Sequence, residues 1–269
     1  MIMDSAGKRT IVTGASSGIG AALAREFARR GAHVGMLARR EQELRTLCEE
    51  LQSRFPQQVF CFQAVDVCQE SELEAALERI IDQLGGLDIV IANSGIGEVR
   101  SAFSSHHWEI ARDTLSVNLL GAIHTLEFAK NWLVKRRCAG QLVGISSVAA
   151  ARGFPRTAAY CASKAALAVY LESIRGELAS AGIGVISIHP GFVRTSMTSG
   201  NPYMPWLMDP EPAARRIVNA IEARKRRYVF PMPMRMIYWF WRHIPDRVYD
   251  FWCATRKPSS QKTSLKGSG

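Results

Sequence analysis

The tightest constraint on the fold is an alternation that runs through most of the chain, in which short β-branched or apolar runs are separated by longer amphipathic stretches. Candidate strands are RTIVT, HVGMLA, VFCFQAV, DIVIA, QLVGIS, GVISIH and RYVF; candidate helices lie near residues 18–30, 41–54, 70–84, 106–136, 157–181 and 210–222. A strand followed by a helix and then another strand closes most readily as a parallel βαβ unit. Runs that are apolar at nearly every position, such as DIVIA, need helices on both faces of the sheet. The expected class is therefore α/β, a doubly wound parallel sheet of about seven strands. At 269 residues and 47% hydrophobic composition, one sizeable core in one domain suffices. Gly31 and Gly182 punctuate helix ends, and Asp209-Pro210 reads as an N-cap followed by proline at the first helical position.

Between the first strand and the first helix stands TGASSGIG, residues 13–20. Glycines at 14, 18 and 20 let the backbone turn tightly and approach a ligand, and the free N–H groups of the following helix favour an anion. Gly-rich turns are common, but this position inside a βα unit points to dinucleotide phosphates. The second strand ends in Ala38, Arg39 and Arg40, where an acidic residue would meet a free ribose 2′-hydroxyl. Arginine instead offers charge-assisted contact to a 2′-phosphate, so NADP(H) is the expected cofactor. For Arg40, the solvated start of a helix is an equally plain reading.

Tyr160 and Lys164 are four residues apart in AAYCASKAA, with Ser147 thirteen residues upstream. Positions i and i+4 share a helix face, so the ammonium can lie beside the phenol. A phenol with an ordinary pKa near ~10 becomes a more usable acid and base when a cation stabilises its anion. A serine hydroxyl nearby could hold the substrate oxygen that gains or loses the proton. Carbonyl/alcohol interconversion is the chemistry this suggests.

Together these segments resemble the classical short-chain dehydrogenase/reductase family over about residues 8–231. TGASSGIG resembles its glycine motif, placing Gly14, Ser16, Ser17, Gly18, Ile19 and Gly20 at the cofactor. Asp66 and Val67 resemble its adenine contact, and ANSG at 92–95 its N-N-A-G segment, with Asn93 and Gly95 at the cofactor. PGFVRT resembles its P-G-x-x-x-T segment, assigning Pro190, Gly191, Val193 and Thr195. Asn118, Ser147, Tyr160 and Lys164 resemble its catalytic tetrad. The resemblance implies a Rossmann-type fold and hydride transfer between a nicotinamide and a carbon. Tyr160 would be the general acid/base and Ser147 the holder of the substrate oxygen. Lys164 would lower the Tyr160 pKa and grip the nicotinamide ribose, and Asn118 would help anchor a water chain. Ser94 and Ser17 depart from the pattern, Ser17 standing where many NADP-preferring members carry Lys or Arg. The spacing of thirteen selects Ser147 over Ser146. A homodimer or homotetramer through the helices near 106–136 and 157–181 is also implied. The rival function is a dinucleotide-binding sensor that does not turn over.

The resemblance implies that SMTSGNPYMPWLM (196–208) forms a flap over the substrate, to which Tyr203, Met204, Trp206, Leu207 and Met208 would give an apolar lining, so a small to medium lipophilic substrate is expected. Residues 1–231 then form the NADP-binding catalytic domain, 232–257 a basic aromatic extension, and 258–269 a polar, disordered tail. Residues 224–269 carry eleven Lys or Arg against Asp246 and Asp250, together with nine aromatics, whereas the rest of the chain is nearly neutral. Met234, Ile237, Tyr238 and Trp241 have helical spacing and would share a face. That extension either packs on the domain or meets a membrane surface; a specific nucleic-acid role is not expected. The opening residues show no signal-peptide pattern and no run approaches ~20 apolar residues, so a cytoplasmic, possibly membrane-associated setting is expected. The six cysteines are scattered and suit reduced thiols, with Cys161 a small apolar filler. His106 and His107 lack metal spacing, and His189 is expected to cap a strand end.

Overall fold

In the computed structural model, which describes residues 4–97, 107–198 and 204–255, seven parallel strands form one sheet in the order β3-β2-β1-β4-β5-β6-β7. The strands are β1 (Arg9–Thr13), β2 (His33–Ala38), β3 (Phe60–Ala64), β4 (Ile89–Ala92), β5 (Gly140–Ile145), β6 (Ile183–Pro190) and β7 (Arg227–Phe230). Helices α1 (Gly18–Arg29), α2 (Glu41–Arg54) and α7 (Pro210–Glu222) pack on one face. On the other lie α3 (Glu70–Leu84), α5 (Gly121–Lys135) and α6 (Ala158–Leu178). The short α4 (His107–Leu115) precedes α5. This is the doubly wound sheet that the alternation predicts.

Strand pleating divides each apolar run between two cores. Val12, Met36, Ile91 and Val143 face α1, α2 and α7, while their neighbours Ile11, Leu37, Val90 and Leu142 face the opposite helices. All eight are fully buried, and each such side chain contributes about 1.5–3 kcal/mol of transfer free energy. The near-continuous apolar character of the strands follows from this two-sided burial.

Two local features differ from expectation. The run near 106–136 is interrupted by a π turn at Ser116–Leu120, which separates α4 from α5 and directs Asn118 inward. A widened turn admits one extra residue, which a 3.6-residue pattern does not register. Asp209 occupies the N-cap of α7 without bonding its backbone, because its carboxylate accepts from Arg194 Nε at 2.9 Å. After β7 the chain continues as two further helices, α8 (Met232–His243) and α9 (Asp246–Thr255). Met234 and Tyr238 of α8 are buried, and Ile237 and Trp241 are half-buried on the same inward face. Arg152 ties the pair down by donating to Ile244 O at 2.7 Å and to Asp246, and Tyr249 donates to Gly153 O.

Candidate active site

Strand order reverses its direction of growth between β1 and β4, and the crevice at their carboxyl ends is the expected ligand site of such a sheet. A cleft of about 570 Å³ occupies it. The glycine loop from β1 forms its floor. Gly14 has φ +68°, and a Cβ on Gly20 would lie 2.1 Å from Gly14 O, so neither position has room for a side chain. Asn93 at the end of β4 fastens the loop from the other side, its Nδ2 donating to Thr13 O at 2.9 Å. Thr13 Oγ1 in turn accepts from Asn93 N.

Along this cleft lie Gly14, Ser16, Ser17, Gly18, Ile19, Gly20, Arg39, Arg40, Asp66, Val67, Asn93, Gly95, Pro190, Gly191, Val193 and Thr195, together with Ser147, Tyr160 and Lys164. Asn118 does not line it. Fully buried, its Oδ1 accepts from Ile96 N at 2.7 Å and its Nδ2 donates to Ile96 O at 2.8 Å and Ser163 Oγ at 3.2 Å. The amide thereby pairs with the chain leaving β4 as a neighbouring strand would.

At the β2 end, Arg40 bends back over the glycine loop. Its Nη2 donates to Ser16 Oγ at 2.8 Å and Ser17 Oγ at 2.6 Å, so a cation stands over position 17 although that residue is serine. Arg39 is two-thirds exposed, with Nη1 3.7 Å from Asp66 Oδ2. Two guanidinium groups thus stand where β2 ends, Arg39 near Asp66 and Arg40 on the two hydroxyls with Glu43 Oε1 3.5 Å from its Nη1. The glycine cradle, the helix N-terminus and this cationic end fit the phosphates of a dinucleotide.

At the other end, Ser147 Oγ accepts from Ala149 N at 3.1 Å, capping a short 3-10 turn at Val148–Ala151, and its hydroxyl stands close enough to the Tyr160 phenol to favour the phenolate. Ser146 turns away from the cleft centre and donates to Lys164 O at 2.8 Å. Lys164 is 4% exposed and donates to Ile145 O at 2.9 Å. Its Nζ lies 5.9 Å from the Tyr160 ring centre.

That placement corrects the expectation that Lys164 lowers the phenol pKa. Burial raises Tyr160 above its ordinary value, the Ser147 hydroxyl opposes the rise, and the ammonium is turned toward the β5 carbonyl. Burial also depresses Lys164 itself, to about 8. An ammonium has three donors, so beyond Ile145 O it keeps two for the cleft.

The flap expectation also needs correction. Tyr203 lies outside the described residues, and Met204, Trp206, Leu207 and Met208 do not line the cleft. Met208 is held beside residues 192–194, its N donating to Phe192 O and its O accepting from Arg194 N, and it packs into the core. Trp206 is half exposed. The apolar contribution comes instead from Met197, whose Sδ would lie 3.1 Å from a Cβ on Gly97, with Tyr160 Cδ2 at 3.4 Å from the same point. Sequence reading missed Met197, Ile96, Ser163 and Thr198; the last accepts from Thr195 N at 3.0 Å. Only proximity to the PGFVRT segment could have flagged Met197 and Thr198. Cys161 is buried and accepts from Phe154 N, consistent with a filler.

The family model for short chain dehydrogenase matches residues 8–204. An uncharacterized oxidoreductase of Myxococcus xanthus is 36% identical over 247 residues, covering 90% of this chain and 95% of the relative. The 11-beta-hydroxysteroid dehydrogenase A of Sesamum indicum is 30% identical over 260 residues, covering 90% and 74%. Among solved structures, a short-chain type dehydrogenase/reductase from Mycobacterium marinum superimposes with a TM-score of 0.76 at 26% identity, covering 84% of this chain and 94% of that one. With the match spanning the glycine loop, the β4 exit and the Ser147–Tyr160–Lys164 cluster, the chain belongs to the short-chain dehydrogenase family of oxidoreductases.

Proposed function

We propose that this chain is an NADP(H)-dependent oxidoreductase that interconverts a carbonyl and a primary or secondary alcohol on a small to medium lipophilic substrate. The observation that carries the reading is the pairing of Ser147 with Tyr160 beside a buried Lys164, all on one wall of a cleft whose floor is the glycine loop. When bound, the nicotinamide supplies or accepts the hydride. Tyr160, held neutral by burial, keeps its proton until negative charge develops on a substrate oxygen and then donates it, becoming phenolate; in the reverse direction that phenolate takes the alcohol proton and the phenol is restored. Ser147 is the second donor to that oxygen. The two free N–H groups of Lys164 suit ribose hydroxyls, and Arg39 and Arg40 suit a 2′-phosphate. Met197, Ile96 and Val193 give the cleft an apolar component that supports a lipophilic substrate, as does the steroid named for the Sesamum relative. A sensor that only binds dinucleotide would have no use for the Ser147–Tyr160 pair.

The extension would meet anionic lipid with its outward side. Met232, Met236, Phe240 and Phe251 are 59–72% exposed beside exposed Arg235, Arg242 and Arg247, an arrangement suited to an acidic bilayer surface. No helix among the described residues is long and apolar enough to cross a membrane. Homodimers or homotetramers would form through α5 and α6, where Leu120, Val134 and Val169 are exposed near or on those helices.

The test is oxidation of NADPH and NADH, followed at the nicotinamide band, against aldehydes, ketones, quinones and ketosteroids. Tyr160→Phe should lower kcat by about 10²–10⁴-fold while NADPH binding persists. Arg40→Ala should weaken NADPH by roughly tenfold or more and leave NADH nearly unchanged, as loss of one charged hydrogen bond requires. Full activity in Tyr160→Phe would refute the catalytic assignment, and equal losses for both cofactors would refute the phosphate one.

A further inference from the structure

His189 is fully buried at the end of β6, directly before the Pro190-Gly191 pair that lines the cleft. Its Nδ1 lies 3.1 Å from the main-chain oxygen of Ser147, and its Nε2 lies 2.7 Å from Ser187 Oγ. A carbonyl can only accept, so Nδ1 must carry the hydrogen. Burial holds the ring neutral, with its pKa pushed down to about 4, and Arg227, Arg242 and Arg175 add to that effect. Nε2 is then an acceptor and the Ser187 hydroxyl donates to it. One tautomer satisfies both contacts.

The location explains why a side chain is needed. Up to Ile145 and Ile188, β5 and β6 are joined by a backbone ladder, and Ser146 N still donates to Ile188 O at 2.7 Å. Pro190 has no N–H, so it cannot extend the ladder. The imidazole makes the next link and reaches the residue whose hydroxyl faces Tyr160. Tyr238 of α8 closes over the ring, with centres 5.3 Å apart and planes at 60°, and is itself buried.

We propose that His189 is a positioning residue for Ser147: its Nδ1–H fixes the serine main chain so that the hydroxyl addresses Tyr160, and Tyr238 of the C-terminal extension holds the ring in place. The proposal rests on the oxidoreductase reading for its kinetic consequence and on geometry for its structural one. A misplacement of about 1 Å at a reacting group can cost ~10²-fold in rate.

Two amide substitutions separate the contacts. In His189→Asn the amide nitrogen can occupy the place of Nδ1 and still donate to Ser147 O. In His189→Gln the amide reaches only the place of Nε2, serving Ser187. Both introduce a neutral polar group of similar size. His189→Asn should keep kcat within about threefold, whereas His189→Gln should lose at least ~10-fold in kcat, with NADPH affinity and substrate KM little changed. Equal kcat in the two variants overturns the proposal, as does a change confined to KM. Crystal structures of both variants give a readout free of turnover: the approach of the Ser147 hydroxyl to the Tyr160 phenol should persist in His189→Asn and be lost in His189→Gln. Its persistence in both refutes the positioning role whatever the activity. A wild-type protein without turnover on any substrate would refute the enzymatic reading alone.

Discussion

Lys164 is a buried cation whose protein acceptor is one backbone carbonyl, and burial pushes its pKa down to about 8, at a cost to the folded state. The drop from the ordinary value corresponds to roughly 3 kcal/mol at ~1.4 kcal/mol per unit. Below pH 8 the lysine is protonated in both folded and unfolded states, and the penalty is fully present. Between pH 8 and about 10.5 the unfolded chain binds more protons than the folded one, so this group makes stability rise with pH. Replacing Lys164 with Met should therefore yield a protein whose stability, relative to wild type, declines across that window and is constant below it. Urea unfolding of both proteins at several pH values gives the comparison; parallel curves would mean that the ammonium is not desolvated. If Lys164 holds the cofactor as proposed, the same variant should also bind NADPH weakly, because its two spare donors are lost. A residue that strains the empty fold while serving a ligand is typical of a functional site.

Strands and helices on the sheet were the most legible part of the chain, because each apolar run alternates between two buried faces and each helix has a core-facing stripe. RTIVT, HVGMLA and RYVF coincide with β1, β2 and β7, and 41–54, 70–84 and 210–222 coincide with α2, α3 and α7. The site segments were legible for the same reason that they are local: TGASSGIG, PGFVRT and the Tyr160/Lys164 spacing carry their geometry within a few residues. What depends on distant partners was hidden. No pattern in sequence shows Arg40 reaching back to Ser16 and Ser17, Lys164 turning to Ile145 O, or His189 bonding Ser147. The π turn was equally hidden, yet it decides where Asn118 points. Asn118→Ala should leave the N and O of half-buried Ile96 without their partners, each bond being worth about 0.5–1.5 kcal/mol, and so destabilise the protein by roughly 1–3 kcal/mol. Chemical denaturation reads this directly, and a loss below about 0.5 kcal/mol would show that the β4 exit is held by other contacts.

At the scale of the whole molecule, positive charge is concentrated after Ala223, whereas the preceding body is nearly neutral. The extension that carries it has two faces with different consequences. Inward, Tyr238 covers His189 and packs with Ala150, Ala168 and Val229, while Trp241 meets Phe154 edge-on with centres 5.9 Å apart. Outward, Met236 and Phe240 are 69% and 59% exposed and lie one helical turn apart. The two faces can be altered separately. Tyr238→Ala should cost about 3–5 kcal/mol, as large-to-small changes of buried aromatics do, and should lower kcat by loosening the ring over Ser147. Met236→Ser with Phe240→Ser touches only exposed positions, so stability should change by no more than about 0.5 kcal/mol per site and turnover of a water-soluble substrate should be retained. Its effect should appear on vesicles. Each basic residue near an anionic surface contributes about 1 kcal/mol, but charge alone leaves the apolar side chains at the headgroup level unused. Wild-type protein should therefore co-sediment with vesicles containing phosphatidylserine and much less with purely zwitterionic ones. The double variant should lose roughly tenfold or more in that affinity, because two apolar side chains no longer enter the headgroup layer, which forfeits well over the ~1.4 kcal/mol that a factor of ten represents. Unchanged sedimentation of the double variant would remove the outward face from any lipid contact and leave the extension as a packing element alone.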